Sequence, residues 1–211
     1  MNKRIIALLL AIVMVFSTFC TVAFADNNQP TDEPVAELYL CSLWNVGLQV
    51  PHVFVYFKNL TGNTIRIGAY DCPAYDEVSI GTFGMTVGDM PGIYYNLERA
   101  RNKDIVPNNF ICCKTTVTAS QLSSITSYIC SFNFWDPVFF NCCFFAISVW
   151  NLGGSLPLFP IVMLPWIARF EILLAGKATP FALKGASTSE VYKQTGIGSG
   201  ATLKLATNTH D

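Results

Sequence analysis

The feature that most constrains the fold is an apolar segment, "FFNCCFFAISVWN", which spans residues 139–151. Apolar side chains recur there at i, i+3, i+4 and i+7, the spacing of one helix face: Cys142, Phe145, Ala146 and Val149. The opposite face is apolar as well, with Phe144, Ile147 and Trp150. A helix that is apolar on every side is stable only when other elements cover it. We therefore expect this helix in the middle of a domain.

The start of this helix carries chemistry. Pro137 and Asn141 can each mark a helix start, and Gly153-Gly154 marks its end. A cysteine in the first turn is close to unpaired N–H groups and to the positive end of the helix dipole, which favour thiolate over thiol. The same N–H groups can hold a developing oxyanion. Cys142 and Cys143 are therefore both candidates for a reactive thiol.

A thiolate nucleophile needs a histidine that shares its proton and protonates the leaving group. The chain contains two histidines, His52 and His210. His210 is the penultimate residue of a tail rich in small residues, whereas His52 begins an apolar, strand-like segment. We therefore predict that His52 is the partner of the thiol.

The segment after His52 resembles a β-hairpin, with "PHVFVYFKN" and "LTGNTIRIGAY" as strands and residues 61–63 as the turn. A two-residue loop at Thr61-Gly62 would pair His52 with Asp71 and place both side chains on one face. A loop at Gly62-Asn63 would pair His52 with Pro73 instead. Asp71 is thus a register-dependent candidate for the group that orients the imidazole.

The remaining patterns predict an α+β domain with an antiparallel sheet packed against the central helix. Strands are predicted within residues 75–84, 92–103 and 108–120, the second running into a polar loop or a short helix. Residues 118–132 predict a helix entered through Thr118 or Ser120. The C-terminal segment contains one short predicted strand.

The N-terminus indicates export. Residues 1–25 combine a basic start, an apolar run and small residues at Ala23 and Ala25, the pattern of a cleaved signal peptide. We expect a flexible lead-in at 26–36 and a single domain at 37–211. Cleavage removes two of the 13 basic residues and none of the 14 acidic ones, so the net charge is 11 − 14 = −3. That balance offers no basic stripe for nucleic acid.

A second apolar stretch, residues 156–175, is a poor membrane span. It contains three prolines and the charged residues Arg169 and Glu171, and charges are costly inside a bilayer. We interpret it as a buried, proline-broken stretch or the wall of a pocket, and expect no transmembrane span in the mature chain.

Seven cysteines remain after cleavage, an odd number that leaves at least one thiol unpaired. Four form the vicinal pairs 112–113 and 142–143, and neighbouring cysteines rarely bond each other. Disulfides that involve Cys41, Cys72 or Cys130 remain open. There is no Cys-x-x-Cys motif, so a zinc site is disfavoured, and we expect no cofactor.

Several segments occur in a familiar order: "HVFVYFKNLTGNTIRIGAY", "VSIGTFG", "GIYYNLE" and "NCCFFAISVWN". In this order the chain resembles a family of small secreted Firmicute proteins with a circularly permuted papain-like fold, related to NlpC-type peptidases and lecithin retinol acyltransferases. The resemblance covers most of residues 50–151. Two positions depart from it: Pro51 replaces the usual glycine before the histidine, and Ala69 stands where a second, orienting polar residue is expected.

The resemblance implies that Cys142 is the nucleophile and His52 its base, with Asp71 or Asn141 as candidates for orienting or oxyanion support. It implies a secreted cysteine hydrolase or acyltransferase at the Gram-positive cell surface or in the medium. The substrate would be a cell-envelope peptide amide or a lipid-like acyl group. Two alternatives are a catalytically inactive binding module of the same fold, motivated by Ala69, and a disulfide-stabilised extracellular protein of another fold.

Overall fold

A computed structural model describes residues 33–43, 52–84, 91–101, 110–133, 141–154, 158, 165–174 and 183–206. All of them belong to one compact unit, Glu33–Asp211. The expected signal peptide and His210 lie outside the described residues. The described part of the chain is a mixed α+β structure, built from a mostly antiparallel sheet and a few helices.

The described residues form nine strands: β1 (Pro34–Leu43), β2 (His52–Asn59), β3 (Ile65–Ile67), β4 (Tyr70–Cys72), β5 (Glu77–Phe83), β6 (Gly92–Tyr95), β7 (Phe110–Thr118), β8 (Tyr192–Thr195) and β9 (Thr202–Leu205). Seven of them make one sheet in the order β7-β1-β2-β5-β6-β8-β9, and β3 and β4 pair separately. The helices are α1 (Leu97–Ala100), α2 (Ala119–Ser131), α3 (Cys142–Gly153) and α4 (Pro165–Leu174).

The first strand begins inside the expected lead-in. β1 starts at Pro34, so the lead-in predicted over 26–36 overlaps it by three residues. Ala36 is fully buried and pairs with Asn59 of β2 and Val117 of β7. β1 begins earlier than expected because β2 and β7 pair with its first residues on either side. Burial of Ala36 between them stabilises this end of the strand, although the residues before it are polar.

The predicted hairpin between residues 51–59 and 60–70 does not form. β2 pairs with β1 and β5, and His52 lies opposite Leu43. The buried Asn59 explains the difference, because its Oδ1 accepts from the Thr61 N–H at 2.8 Å. Its Nδ2 donates to the carbonyls of Asn63 and Pro73, at 2.7 and 2.8 Å. This local side-chain turn closes the loop on itself, and the chain returns as β5 to pair with β2.

The central strands β1, β2 and β5 of the large sheet are buried on both faces. Leu38 and Leu40 of β1 lie in the main core with α3, whereas Tyr39 and Cys41 lie in a second cluster on the other face. Such a strand reads as continuous apolar sequence rather than as alternation. This is why residues 36–43 gave no clear strand pattern in the sequence.

The two longer predicted helices are present. The Thr118 side chain accepts from the Gln121 N–H and the Gln121 side chain accepts from the Thr118 N–H, so α2 begins with a capping box. α3 begins at Cys142 after the cap Asn141. It packs against β1, β2 and β5 and against the helices α2 and α4, in keeping with its apolar surface.

The apolar stretch at 156–175 contains α4, whose Ala168 and Ile172 are buried while Phe170 and Leu173 are exposed. The stretch is therefore only partly a buried wall. No helix in the described ranges has the length and apolarity to cross a membrane. At the C-terminal end the structure has two paired strands, β8 and β9, where the sequence predicted one.

Candidate active site

Two predicted site residues meet in the structure. His52 is the first residue of β2, Cys142 is the first residue of α3, and the two side chains are close enough for each to shift the pKa of the other. The His52 side chain is buried, with 7% of the residue exposed, and Cys142 is half-buried. The sheet and the central helix thus bring a thiol and an imidazole together at the helix N-terminus.

The Cys142 sulfur lies near the start of β2, where β2 is not paired with β5. β2 pairs with β5 from Val55 to Lys58, so the first residues of β2 are not in that ladder. The backbone N–H of Val53 is close enough to the Cys142 sulfur to help lower the pKa of that thiol. The Val53 amide, at a position where β2 has no β5 partner, therefore favours the thiolate form of Cys142.

The third member of the site is Glu98, in the short helix α1. Its Oε1 lies 3.1 Å from Nε2 of His52, and its Oε2 accepts a hydrogen bond from Ser79 Oγ at 2.7 Å. Glu98 is 3% exposed. Because Nε2 faces this carboxylate, Nδ1 is the ring nitrogen left for the thiol. The order is thiol, imidazole, carboxylate, as in hydrolytic triads.

The backbone around α1 holds Glu98 in position. Asn96 adopts the left-handed conformation with φ 63°, which asparagine tolerates better than most residues. Its N–H donates to the Ser79 carbonyl at 2.8 Å, and its Oδ1 accepts from Arg99 at 3.0 Å. The chain therefore turns sharply after β6 and directs Glu98 back over β5.

Gly81 in β5 makes room for the His52–Glu98 pair. A Cβ atom at Gly81 would lie 3.0 Å from Nε2 of His52 and closer still to Oε1 of Glu98. Only glycine lets the strand pass so near both side chains.

Aromatic side chains enclose the imidazole on the sheet side. The His52 ring stacks on Phe54 at a centroid separation of 5.9 Å, and the Phe83 ring lies 4.3 Å away. These rings limit the orientations of the imidazole and exclude water from its flanks, which strengthens the polar contacts it makes.

Cys142 is poised as a thiolate. A hydrogen bond from the Cys143 thiol, the imidazolium of His52 and the Val53 N–H hold the pKa of Cys142 well below that of an ordinary thiol, although burial opposes the shift. Burial also lowers the pKa of His52, but the Cys142 sulfur and the Glu98 carboxylate outweigh it and raise that pKa to about 9. Both shifts favour a thiolate on Cys142 paired with an imidazolium on His52.

The adjacent cysteines have opposite properties. Cys143 is fully buried in the core and remains a thiol, because its S–H donates to Cys142 and burial raises its pKa as well. By helix position alone, either cysteine could be the reactive thiol. Their surroundings in the folded protein lower the pKa of Cys142 and raise that of Cys143.

Asn141 lies at the site as a helix cap. Its Oδ1 accepts from the Cys143 N–H at 2.9 Å and from the Phe144 N–H at 3.3 Å, and its carbonyl accepts from the Phe145 N–H at 3.1 Å. These amides are engaged within the helix end. Within the described residues, the Cys142 N–H is the one amide of the first turn that has no acceptor and could therefore bind an oxyanion. The sequence had suggested that all the amides of the first turn could do so.

Asp71 is not part of the site. It lies in β4, its side chain is 65% exposed, and its Oδ1 accepts from Arg66 at 3.0 Å. The prediction that Asp71 orients His52 depended on the hairpin register, and that hairpin does not form. Ala69 is likewise elsewhere: it lies in the turn between β3 and β4, and its N–H donates to the Tyr95 hydroxyl at 2.9 Å.

Sequence reasoning missed Glu98. It follows an apolar strand within "GIYYNLER", and no spacing in the sequence links it to His52. Gly81 was the available signal, because a glycine inside a strand often marks a close approach by another group.

The seven described cysteines form no disulfide. Among the described residues there is also no cluster of three or more metal-ligating side chains. Comparisons with known proteins find no family model, no curated protein and no solved structure that matches the chain.

Proposed function

We propose that the protein is a secreted cysteine hydrolase or acyltransferase that cleaves an amide or an ester. The observation that carries this proposal is the proximity of the Cys142 thiol, the His52 imidazole and the Glu98 carboxylate, in that order. Each group stands where nucleophilic catalysis needs it: a thiolate at a helix N-terminus, an imidazolium in contact with it, and a carboxylate on the far ring nitrogen.

The chemistry follows from the geometry. The Cys142 thiolate attacks the carbonyl carbon, and the oxygen that becomes negative is stabilised by the Cys142 N–H at the end of α3. The tetrahedral species collapses as His52 gives its proton to the departing nitrogen or oxygen, which leaves a thioester on Cys142. Neutral His52 then takes a proton from water or another acceptor, which attacks the thioester and releases the acyl group. Cys142 leaves as a thiolate again.

Glu98 orients His52 and stabilises its charged form in both the acylation and the deacylation step. Its Oε1 holds the Nε2 side of the ring, so that Nδ1 faces the sulfur, and its charge stabilises the imidazolium. Ser79 fixes the second carboxylate oxygen, which keeps Glu98 from rotating away. A positioned third group of this kind typically accounts for a large part of the rate.

We also propose the circularly permuted papain-like fold that the sequence resemblance suggested. In support, the histidine strand β2 precedes the cysteine helix α3 in the chain, and the sheet packs against that helix. The proposed substrates, a cell-envelope peptide amide or a lipid-like acyl group, and the extracellular location follow from the same resemblance and from the expected signal peptide.

An inactive binding module was the main alternative because Ala69 lacks a polar side chain. Ala69 is packed in the core and hydrogen-bonded to Tyr95 through its backbone, whereas Glu98 occupies the position beside His52. The departure at Ala69 therefore no longer argues against catalysis.

The test is the pH dependence of alkylation at Cys142. Iodoacetamide reacts with the thiolate, so an unperturbed thiol of pKa about 8.5 reacts about ten times faster for each pH unit between 6 and 8. We expect the rate at Cys142, followed by peptide mass spectrometry, to change less than about twofold over that range.

The variant His52→Ala should make the rate clearly more dependent on pH than in the wild type, because one of the groups that lower the pKa of Cys142 is gone. Asp71→Asn is the matched control, since it removes an exposed charge away from the site, and it should behave like the wild type. A steep pH dependence in the wild-type protein, or the same flat profile in His52→Ala, would refute the proposed thiolate–imidazolium pair.

A further inference from the structure

Two of the seven described cysteines lie apart from the other five. Cys41 in β1 and Cys112 in β7 are fully buried thiols, and both belong to the second apolar cluster, together with Tyr39 and Phe54. The remaining cysteines lie in the main core or pack against it: Cys72, Cys113, Cys130, Cys142 and Cys143. Within the described residues, Cys41 and Cys112 are thus the two thiols of their cluster.

The strand register places these two residues opposite each other. β1 and β7 are antiparallel, and Cys41 pairs directly with Cys112. Directly opposite residues of antiparallel strands have Cα atoms about 4.5 or 5.5 Å apart, according to the type of pair. A disulfide joins Cα atoms that are about 4.4–6.8 Å apart. Because both side chains lie in the same cluster, a bond between the two sulfurs requires no change of strand register.

The two thiols are close enough to influence each other. Burial raises the pKa of Cys41 well above that of an ordinary thiol, and the neighbouring Cys112 thiol raises it further. A buried, protonated thiol reacts slowly with an oxidant, because the thiolate is the reactive form. A bond between these sulfurs would therefore form while the chain folds, before the second cluster closes over them.

The neighbouring Cys113 does not compete for Cys41. It pairs with Leu40 rather than with Cys41, and successive side chains of a strand point to opposite faces of the sheet. In keeping with this alternation, Cys113 is buried in the main core. A bond between the adjacent Cys112 and Cys113 is disfavoured by the geometry that a disulfide requires.

We propose that Cys41 and Cys112 form a disulfide when the protein folds in an oxidising environment, and that this bond fastens β7 to β1. The two thiols give up two protons and two electrons to a disulfide oxidant such as oxidised glutathione. One sulfur–sulfur bond forms in the protein, and the bond of the oxidant is broken to give two glutathione thiols. The expected export of the chain supplies such an environment, since disulfides persist outside the cytosol. The bond does not involve Cys142 and is independent of its chemistry.

The bond stabilises the end of the sheet that β7 forms. β7 stands at one end of the seven-strand order, and among the described strands it pairs with β1 alone. The disulfide closes a loop that runs from Cys41 to Cys112. Cross-linking a long loop removes much entropy from the unfolded chain and so favours the folded one.

The test is disulfide mapping after refolding. The reduced, denatured protein is refolded in a mixture of oxidised and reduced glutathione, and the remaining thiols are then alkylated in denaturant. Peptides are analysed by mass spectrometry without reduction, and fragment ions that separate residues 112 and 113 assign the bond. We expect Cys41 to be linked to Cys112. Alkylated Cys41, or Cys41 with any other partner, would overturn the inference.

Two alanine variants form a matched pair. Cys112→Ala should leave Cys41 as an alkylated thiol, whereas Cys113→Ala should keep the link between Cys41 and Cys112. The substitutions are adjacent and remove the same atom, so they differ in the face of the sheet that they change. A link from Cys41 to Cys113 in the first variant would overturn the assignment of the pair by strand face. If either variant fails to fold, the fragment ions of the wild-type protein decide the pairing.

Thermal unfolding tests the stabilising role. Wild-type protein refolded with glutathione should unfold at a midpoint at least about 5 °C above that of protein refolded in dithiothreitol. Cys112→Ala is the control, and its midpoint should be the same after both treatments. Equal midpoints for the two wild-type forms would overturn the proposal that the bond fastens β7 to β1.

Discussion

Glu98 Oε1 lies 3.1 Å from Nε2 of His52, although the two residues are 46 positions apart and belong to different elements. The contact is buried, and it sets which ring nitrogen of His52 faces Cys142. With this carboxylate, the thiol, the imidazole and the carboxylate stand in a fixed order.

Glu98→Gln tests that contact. The amide keeps the size of the side chain but removes the negative charge that helps to raise the pKa of His52. We expect kcat/KM for ester hydrolysis to fall by at least about tenfold, because the imidazolium loses a stabilising partner. The pH above which activity declines should also move below its wild-type value. Full activity with an unchanged pH profile would remove Glu98 from the mechanism, and Asp71→Asn serves as the control for loss of a carboxylate elsewhere.

The wild-type pH profile itself is predictable. Acylation needs the Cys142 thiolate and the His52 imidazolium together. Because the pKa of Cys142 is lowered and that of His52 is raised to about 9, both required forms are present across the neutral range. Activity should therefore rise through the low pKa of Cys142, stay level, and decline as the pH passes about 9. Measuring kcat/KM across this range in stable, ionic-strength-matched buffers checks it, and a profile that still rises above pH 9 would contradict the raised pKa of His52.

Cys143→Ala removes the thiol that donates to the Cys142 sulfur. We expect the pKa of Cys142 to rise, seen as a shift of its iodoacetamide profile toward higher pH. Cys143→Ser keeps a donor of similar size and should stay closer to the wild type. If the alanine and serine variants titrate alike, the Cys143 hydrogen bond does not tune the nucleophile.

Gly81→Ala should disrupt the site without a direct loss of any catalytic group. The added methyl group would press against Nε2 of His52 and Oε1 of Glu98, and the carboxylate must move to relieve the overlap. Overpacking of this kind typically costs about 1–3 kcal/mol, and we expect activity to fall with it. Chemical denaturation and ester hydrolysis together measure both effects, and wild-type behaviour in both would show that the strand and the pair are not so closely apposed.

Asn141→Ala removes the cap of α3. Loss of the two hydrogen bonds to the Cys143 and Phe144 amides should lower the free energy of unfolding by about 1 kcal/mol. Asn141→Ser can still cap the helix and should lose much less. Urea denaturation followed by circular dichroism measures the difference, and equal stability of the alanine and serine variants would argue against a capping role.

Local patterns predicted the parts of the site that lie within single elements. The apolar spacing predicted α3 with Pro137 or Asn141 at its start, and the structure has Asn141 as the cap. The β-rich segment after His52 predicted its strand. For α2 the sequence offered Thr118 or Ser120, and Thr118 is the cap. Helix periodicity and capping involve residues three or four positions apart, so their physics is present in the sequence itself.

The pairing of the strands was not predicted correctly from the sequence. The turn residues at 61–63 looked like a hairpin loop, but the buried Asn59 folds them back on its own side chain. Which strands pair depends on contacts over the whole sheet. When the wrong partner strand is predicted, every cross-strand residue pair inferred from it is wrong as well. The prediction that Asp71 lies beside His52 came from this error in strand pairing.

The sequence by itself determined that a cysteine begins an apolar helix and that a histidine begins a strand, since near neighbours in the chain specify both. Only the tertiary structure decided that Glu98, rather than Asp71, lies against His52. That contact joins β2 and α1, and the two residues are 46 positions apart in the chain. It depends on which surfaces are buried together, and no spacing within one segment encodes that.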